Sequence, residues 1–341
     1  MGEKFTPQHR ILTGMRPSGD LHLGHYAGAL KEWVDFDKNP DYQCIFLLAD
    51  YHALGDYSHD VARITRSVRS VALDWMAVGL DPEKSWFSIQ SGIPEHAELT
   101  IFLANLMKKS ELDRNPTLKS EMATLGNDKV TLGFYNYPAL QVGDILLPKA
   151  DLVPVGDDQI PHIEFTRKVA RRFNATYGGG RDVFPQPNYH LSDTPRLVGT
   201  DGDAKMSKSR GNTIHLSDNE RTVTKKVMGM YTDPTRLRAT DPGKVEGNPV
   251  FIYHDVFNPN TEEVEDMKRL YAAGRIGDVD VKKRLAAALN AFLEPIRDRR
   301  SEIEQHPEII DEALRYGTEM ERNLAQETME EVRQAMGLKY Y

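Results

Sequence analysis

Cysteine is nearly absent from this chain: Cys44 stands alone among 341 residues. Neither a disulfide framework nor a cysteine-rich metal centre can form within one chain. Cys44 lies in the run Cys44-Ile45-Phe46-Leu47-Leu48, where a buried small hydrophobe is expected. Long hydrophobic runs are missing too. No stretch approaches the ~18 apolar residues of a membrane span, and the start lacks the charged-then-apolar order of a secretion signal. The expectation is a cytoplasmic protein without membrane contact. Positive charge is in deficit, with 43 Lys and Arg against 51 Asp and Glu and a net charge of −8. That balance excludes a chain that coats nucleic acid indiscriminately. It leaves room for a local basic patch that docks one structured RNA.

What is present is ordinary for a globular protein, with 40% hydrophobic and 28% charged residues. The length suggests two domains, or one large core with an appendage. Apolar strand patterns fall at Arg10–Thr13, Gln43–Ala49, Ser85–Gln90 and Leu152–Val155. Between them helical periodicity predicts a helix from Leu23, with Tyr26, Leu30 and Trp33 on one face. Further helices are expected from an N-cap at Ser58 to near Gly79, at 95–109, at 137–147 and from Asp157 to Asn174. Strands alternating with helices imply an α/β fold with a doubly wound parallel sheet, whose ligand sits beyond the carboxyl ends of the strands. After Gly211 the strand signal fades, and helices are expected at 218–231, 261–273, 279–303 and 307–336, with Thr232–Asn248 a loop. The division expected is therefore 1–211 and an all-helical 212–341. The last helix carries the stripe Ile310, Leu314, Gly317, Leu324, which leaves it free to pack back on the first domain.

Two motifs carry chemistry. Residues 16–25 read Arg-Pro-Ser-Gly-Asp-Leu-His-Leu-Gly-His, where a strand passes into a helix. Gly24 allows a close approach, backbone N–H groups at a helix start attract anions, and His22 and His25 can both donate to phosphate oxygens one turn apart. The alternative is that the two histidines cap a turn. Residues 205–209 read Lys-Met-Ser-Lys-Ser. Lys205 and Lys208 can follow the charge on a departing pyrophosphate, and stabilisation that peaks in the transition state raises the rate. Ser207 and Ser209 add hydroxyl donors, and Gly199, Gly202 and Gly211 give such a loop room to close over ATP. The alternative for the second motif is an exposed basic loop.

The two motifs together resemble those of the class I aminoacyl-tRNA synthetases. The resemblance implies a Rossmann-like catalytic domain over 1–211 and a helical tRNA (anticodon)-binding domain over 212–341. It implies a reaction that joins an amino acid to AMP, releases pyrophosphate and passes the acyl group to tRNA, with magnesium accompanying ATP. Four further stretches are similar to the bacterial-type tryptophan branch of that family. They are Gly14-Met15-Arg16-Pro17-Ser18-Gly19, Ala49-Asp50-Tyr51-His52-Ala53, 137–146 (Tyr-Pro-Ala-Leu-Gln-Val-Gly-Asp-Ile-Leu) and 151–159 (Asp-Leu-Val-Pro-Val-Gly-Asp-Asp-Gln).

Carried over by position, that resemblance implies ATP contacts from Arg16, Pro17, Ser18, Gly24, His25, Gly156, Asp157, Asp158, Lys205, Met206, Ser207, Lys208 and Ser209. His22, His25, Lys205 and Lys208 are the implied catalytic groups. Tryptophan would meet Leu12, His52, Tyr137, Gln141, Asp144, Val153, Val155 and Gln159, with Asp144 accepting from the indole N–H. The amino-acid backbone end would lie against Tyr137, His52, Asp158 and Gln159. The residues agree: a carboxylate on an apolar helix is costly to bury unless satisfied, and Val153 and Val155 share one strand face. Leu12, Gln141 and Arg16 depart from the residues common in the family, where Phe, Met and Gln stand. The chain has no spare segment for an editing domain, which a pocket for the largest side chain does not need. Tyrosine is the alternative within the family; a small nucleotidyltransferase and a non-catalytic synthetase-like RNA-binding protein are alternatives outside it. The resemblance also implies a homodimer with tRNA(Trp) bridging the subunits. Among the basic clusters, Arg297, Arg299 and Arg300 are expected to read tRNA.

Overall fold

The computed structural model describes residues 9–192, 197–202, 206, 210–233, 236, 238 and 240–340. β1 (His9–Met15) buries Ile11, Leu12 and Thr13 and leads through the first motif into α1 (Leu23–His25). A wide turn over Tyr26–Leu30 joins α1 to α2 (Lys31–Lys38), with Leu23, Ala27, Leu30 and Trp33 facing the core. β2 (Tyr42–Leu48) is apolar almost throughout because both its faces are covered. It is followed by α3 (Asp50–Tyr57) and α4 (Val61–Val78). The expected cap at Ser58 is corrected here. Ser58 ends α3, and Asp60 caps α4 by accepting from the Arg63 backbone N–H at 3.1 Å.

β3 (Trp86–Ile89) precedes α5 (Glu95–Ala104), α6 (Lys109–Leu112), α7 (Pro116–Leu125), α8 (Leu132–Tyr135) and α9 (Tyr137–Leu146). The helix expected over 95–109 thus stops at Ala104, and a separate short turn begins at Lys109. β4 (Leu152–Val155), α10 (Ile160–Tyr177) and β5 (Asn188–Leu191) complete the first part. A tight turn over Asp157–Gln159 delays α10 by three residues relative to the expectation. β5 escaped the sequence reading because all four of its residues are exposed and show no apolar pattern. Then come α11 (Glu220–Met228), α12 (Pro249–Phe257), α13 (Thr261–Ala272), α14 (Asp278–Glu304) and α15 (Pro307–Met336). α12 was also unforeseen; it is apolar enough to be buried nearly all round, so it lacks an amphipathic stripe. None of the helices among the described residues is long and apolar enough to cross a membrane.

All five strands are parallel, in the order β3-β2-β1-β4-β5. The chain moves outward from β1 in one direction, then restarts at β4 on the other side, so the crevice between β1 and β4 is the switch point. Trp33 stacks on Phe46 at 5.3 Å, and Trp75 meets Phe87 edge-on at 5.5 Å. The same apolar cluster continues through Phe251, Tyr271, Leu285 and Leu289 into the C-terminal helices.

α15 returns to the sheet and covers its β3 edge. A Cβ at Gly317 would lie 2.4 Å from both the nitrogen and the oxygen of Phe87, so only glycine allows this approach. The next residue, Thr318, accepts the Ile89 N–H at 3.0 Å, which satisfies a donor that an open edge would leave to solvent. The three arginines expected at RNA are committed within the protein. Arg300 pairs with the fully buried Asp74, Arg299 donates to the Ala77 carbonyl at 2.6 Å, and Arg297 bonds Asn290 and the Asp218 carbonyl. Together Arg299 and Arg300 tie α14 to α4.

Candidate active site

The carboxyl ends of β1 and β4 open onto a cavity of about 690 Å³. Eight of the nine residues expected at the amino-acid side chain or backbone line it: Leu12, His52, Tyr137, Gln141, Asp144, Val153, Val155 and Gln159; Asp158 does not. Leu12, Val153 and Val155 belong to one apolar cluster with Ile145, which forms the hydrophobic wall. Tyr137 packs its ring edge-on against His52 at 6.4 Å and Phe134 at 5.8 Å. Its hydroxyl lies 3.4 Å from His162 Nε2. Burial, opposed in part by Asp158, lowers the His162 pKa to about 4, so this imidazole is neutral at pH 7. Arg16 and Gly156 also line the cavity, and the Arg16 guanidinium donates to Asp56 at 2.6 Å across α3.

Asp144 closes the inner end. It sits on α9, whose preceding residue, Gly143, lets the helix press against α5. A Cβ there would lie 2.4 Å from Thr100 Oγ1. Close packing of the two helices brings the carboxylate, 4% exposed, beside one amide and two imidazoles. Gln90 Nε2 donates to Oδ1 at 2.7 Å, His96 Nδ1 stands 2.9 Å from the same oxygen, and His52 Nε2 stands 2.7 Å from Oδ2. Burial alone would raise the Asp144 pKa; the two imidazoles more than reverse that and hold it well below the usual carboxylate range. An ionised carboxylate offers about four acceptor positions. Gln90 takes one on Oδ1 and His52 one on Oδ2, His96 faces Oδ1 as an ion-pair partner, and a position on Oδ2 is left. His52, which the resemblance put beside the backbone end of the amino acid, lines the cavity and is held against Asp144.

Three members of this cluster were not foreseen: Gln90, His96 and Glu321. His96 is fully buried on α5, and its Nε2 lies 3.5 Å from Oε1 of the equally buried Glu321 on α15. The available signal was a carboxylate four positions after Gly317 on the apolar stripe of the last helix. That stripe runs through Ile310, Leu314, Gly317, Glu321 and Ala325, with Leu324 only half-buried.

The first motif lies beside the cavity. His25 Nδ1 accepts the His22 backbone N–H at 3.1 Å, and the two rings lie 3.8 Å apart. The histidines therefore do cap the helix start, and they also form one imidazole pair. Pro17 is buried, and the Ser18 carbonyl is held by Arg63 at 2.8 and 3.0 Å. Asp157 and Asp158 are exposed in the turn after β4. Lys205, Ser207, Lys208 and Ser209 lie outside the described residues. Met206 is described and is buried: a Cβ at Gly24 would lie 3.0 Å from its sulfur and 3.0 Å from the His22 ring. The middle of the second motif thus touches the first. In addition, the Leu23 N–H bonds the Ile214 carbonyl at 2.9 Å, just beyond that motif.

A family model described as tRNA synthetases class I (W and Y) matches residues 4–294. The chain belongs to this family. The synthetase is 51% identical over 332 residues to the tryptophan–tRNA ligase of Treponema pallidum (strain Nichols), covering 96% of this chain and 97% of that relative. It is 47% identical over 333 residues to that of Chlamydia caviae, covering 96% of both. Among solved structures, tryptophanyl-tRNA synthetase from Campylobacter jejuni complexed with ADP and tryptophan superimposes with a TM-score of 0.83. That match is 32% identical and covers 96% of this synthetase and 99% of the other chain. The doubly wound parallel sheet followed by helices agrees with the architecture expected from the sequence.

Proposed function

We propose that this synthetase is a tryptophan–tRNA ligase. An oxygen of the tryptophan carboxylate attacks the α-phosphorus of ATP; the bond to the β-phosphate breaks and pyrophosphate leaves with its electrons. A terminal hydroxyl of tRNA(Trp) then takes the acyl group, and AMP departs. Magnesium would accompany the nucleotide and offset the charge of its phosphates, whose oxygens suit a small hard cation.

The observation that carries the choice of amino acid is the acceptor position left on Asp144 at the inner end of an apolar cavity. Indole offers one N–H donor on a large apolar body. A side chain lacking that donor leaves a buried carboxylate position unpaired, which penalises it strongly. Leu12, Val153 and Val155 meet the hydrophobic rings, and Gln159 and Tyr137 face the other end. His22, His25, Lys205 and Lys208 act on the phosphates; the approach of Met206 to Gly24 supports a shared role. By the family resemblance the enzyme works in the cytoplasm as a homodimer, with 212–341 contributing to tRNA contact. Exchange of pyrophosphate into ATP, assayed with each of the twenty amino acids, tests the assignment. Tryptophan should support exchange far above the others; exchange driven best by tyrosine would overturn it.

A further inference from the structure

Glu321 is a fully buried carboxylate on the last helix, outside the cavity and with no hydrogen-bond partner for either oxygen among the described residues. Leaving an ionisable group there is expensive unless a nearby charge compensates it. The compensating group is His96, 3.5 Å away, whose other nitrogen faces Asp144 at 2.9 Å. Imidazole between two carboxylates can satisfy only one of them when neutral, because just one ring nitrogen then carries a proton. As imidazolium it carries a proton toward each, an ion-pair contact with both carboxylates although neither ring nitrogen reaches hydrogen-bond geometry.

We propose that Glu321 is a positioning residue for amino-acid selection: by keeping a proton on each nitrogen of His96, it pins Oδ1 of Asp144 and aims the free position of Oδ2 at the substrate N–H. The inference rests on the tryptophan reading of the cavity. It assigns a role in substrate choice to the C-terminal helix, which the sequence reading placed in the tRNA-binding part. The titration behaviour agrees. Burial opposes the charge on His96, yet the two carboxylates raise its pKa to about 10. The groups around it are Asp144 from α9, Glu321 from α15, and His52 from α3 on the far side of Asp144. Arg10 on β1 feels both Glu321 and Glu327, and the neighbouring Glu95 lies 4.0 Å from Arg322. The covering of the β3 edge by Gly317 and Thr318 sets the height of Glu321, one turn further along the same helix.

The test uses the full chain and Glu321→Gln, which keeps the volume and removes the charge, with Glu321→Asp as the charge-retaining control. Pyrophosphate exchange is measured with tryptophan and with its isostere in which sulfur replaces the indole N–H, from pH 6 to 9. In Glu321→Gln the KM for tryptophan should rise about tenfold at pH 8 with kcat within about twofold, the scale of losing one charge-assisted contact. The KM for the sulfur isostere should move much less. Lowering the pH to 6 should restore much of the tryptophan KM, since His96 can then still be protonated beside Asp144. Glu321→Asp should keep the flatter profile of the parent. An unchanged tryptophan KM in Glu321→Gln at every pH overturns the proposal, as does equal loss for both substrates, which marks a general packing defect. If the parent enzyme itself shows no tryptophan-dependent exchange, the functional reading fails and this inference with it.

Discussion

His52 Nε2 and Asp144 Oδ2 lie 2.7 Å apart, joining a helix that follows β2 to a helix that precedes β4. The pair spans the switch point of the sheet and fixes the acceptor at the bottom of the cavity. Asp144→Asn should lower kcat/KM for tryptophan exchange by on the order of 10²-fold, because a buried amide has lost the charge that the surrounding donors complement. Its preference for tryptophan over tyrosine should narrow. A preference equal to that of the parent, measured in the same exchange assay, would remove Asp144 from selection.

Lys208→Ala should slow adenylate formation by on the order of 10²-fold while tryptophan affinity changes little, since the charge is needed where pyrophosphate departs. Single-turnover kinetics beside equilibrium binding would separate the two quantities. Equal losses in both would count against a role confined to the transition state.

Arg300→Ala should destabilise the fold by about 3 kcal/mol, because it strands the buried Asp74 carboxylate. Burial already raises the Asp74 pKa to about 6, against the pull of Arg300 and the Leu21 N–H. A carboxyl that resists ionisation when folded loses stability as the pH climbs from its unfolded value through the folded one. The penalty of Arg300→Ala should therefore be larger at pH 8 than at pH 5, as read from urea unfolding. Equal penalties at both pH values would mean that Asp74 does not depend on this partner.

Two buried groups oppose each other on the acid side: as the pH rises from about 4 to about 6, Asp74 loses stability while His162 gains it. Below about pH 6.5 the unfolded chain protonates His162 while the folded one, with a pKa of about 4, does not, so the His162 contribution falls between about 6.5 and about 4. Asp144 adds to the fall below about pH 4, because its folded pKa is depressed. On the other side, the contribution of His96 is full below about 6.5 and is lost as the pH rises through about 10. Denaturant midpoints across this range check the curve, and His162→Gln should leave stability at pH 4, relative to pH 6.5, higher than in the parent. An unaltered acid limb in that variant would rule out His162 as the cause.

The sequence by itself determined the parallel sheet and the two motifs, and the family resemblance named eight residues that the fold brings to one cavity. Local spacing carries part of this: Val153 and Val155 share a face because strand side chains alternate, and His22 and His25 meet because they lie one turn apart. The tertiary structure alone decided what surrounds Asp144. Gln90, His96 and Glu321 come from a turn after β3, from α5 and from the last helix, and nothing local in the chain registers their meeting. It also decided the use of Arg297, Arg299 and Arg300. A run of basic residues reads the same whether it faces solvent or ties two helices together; the difference lies in partners such as Asp74, more than two hundred residues away along the chain.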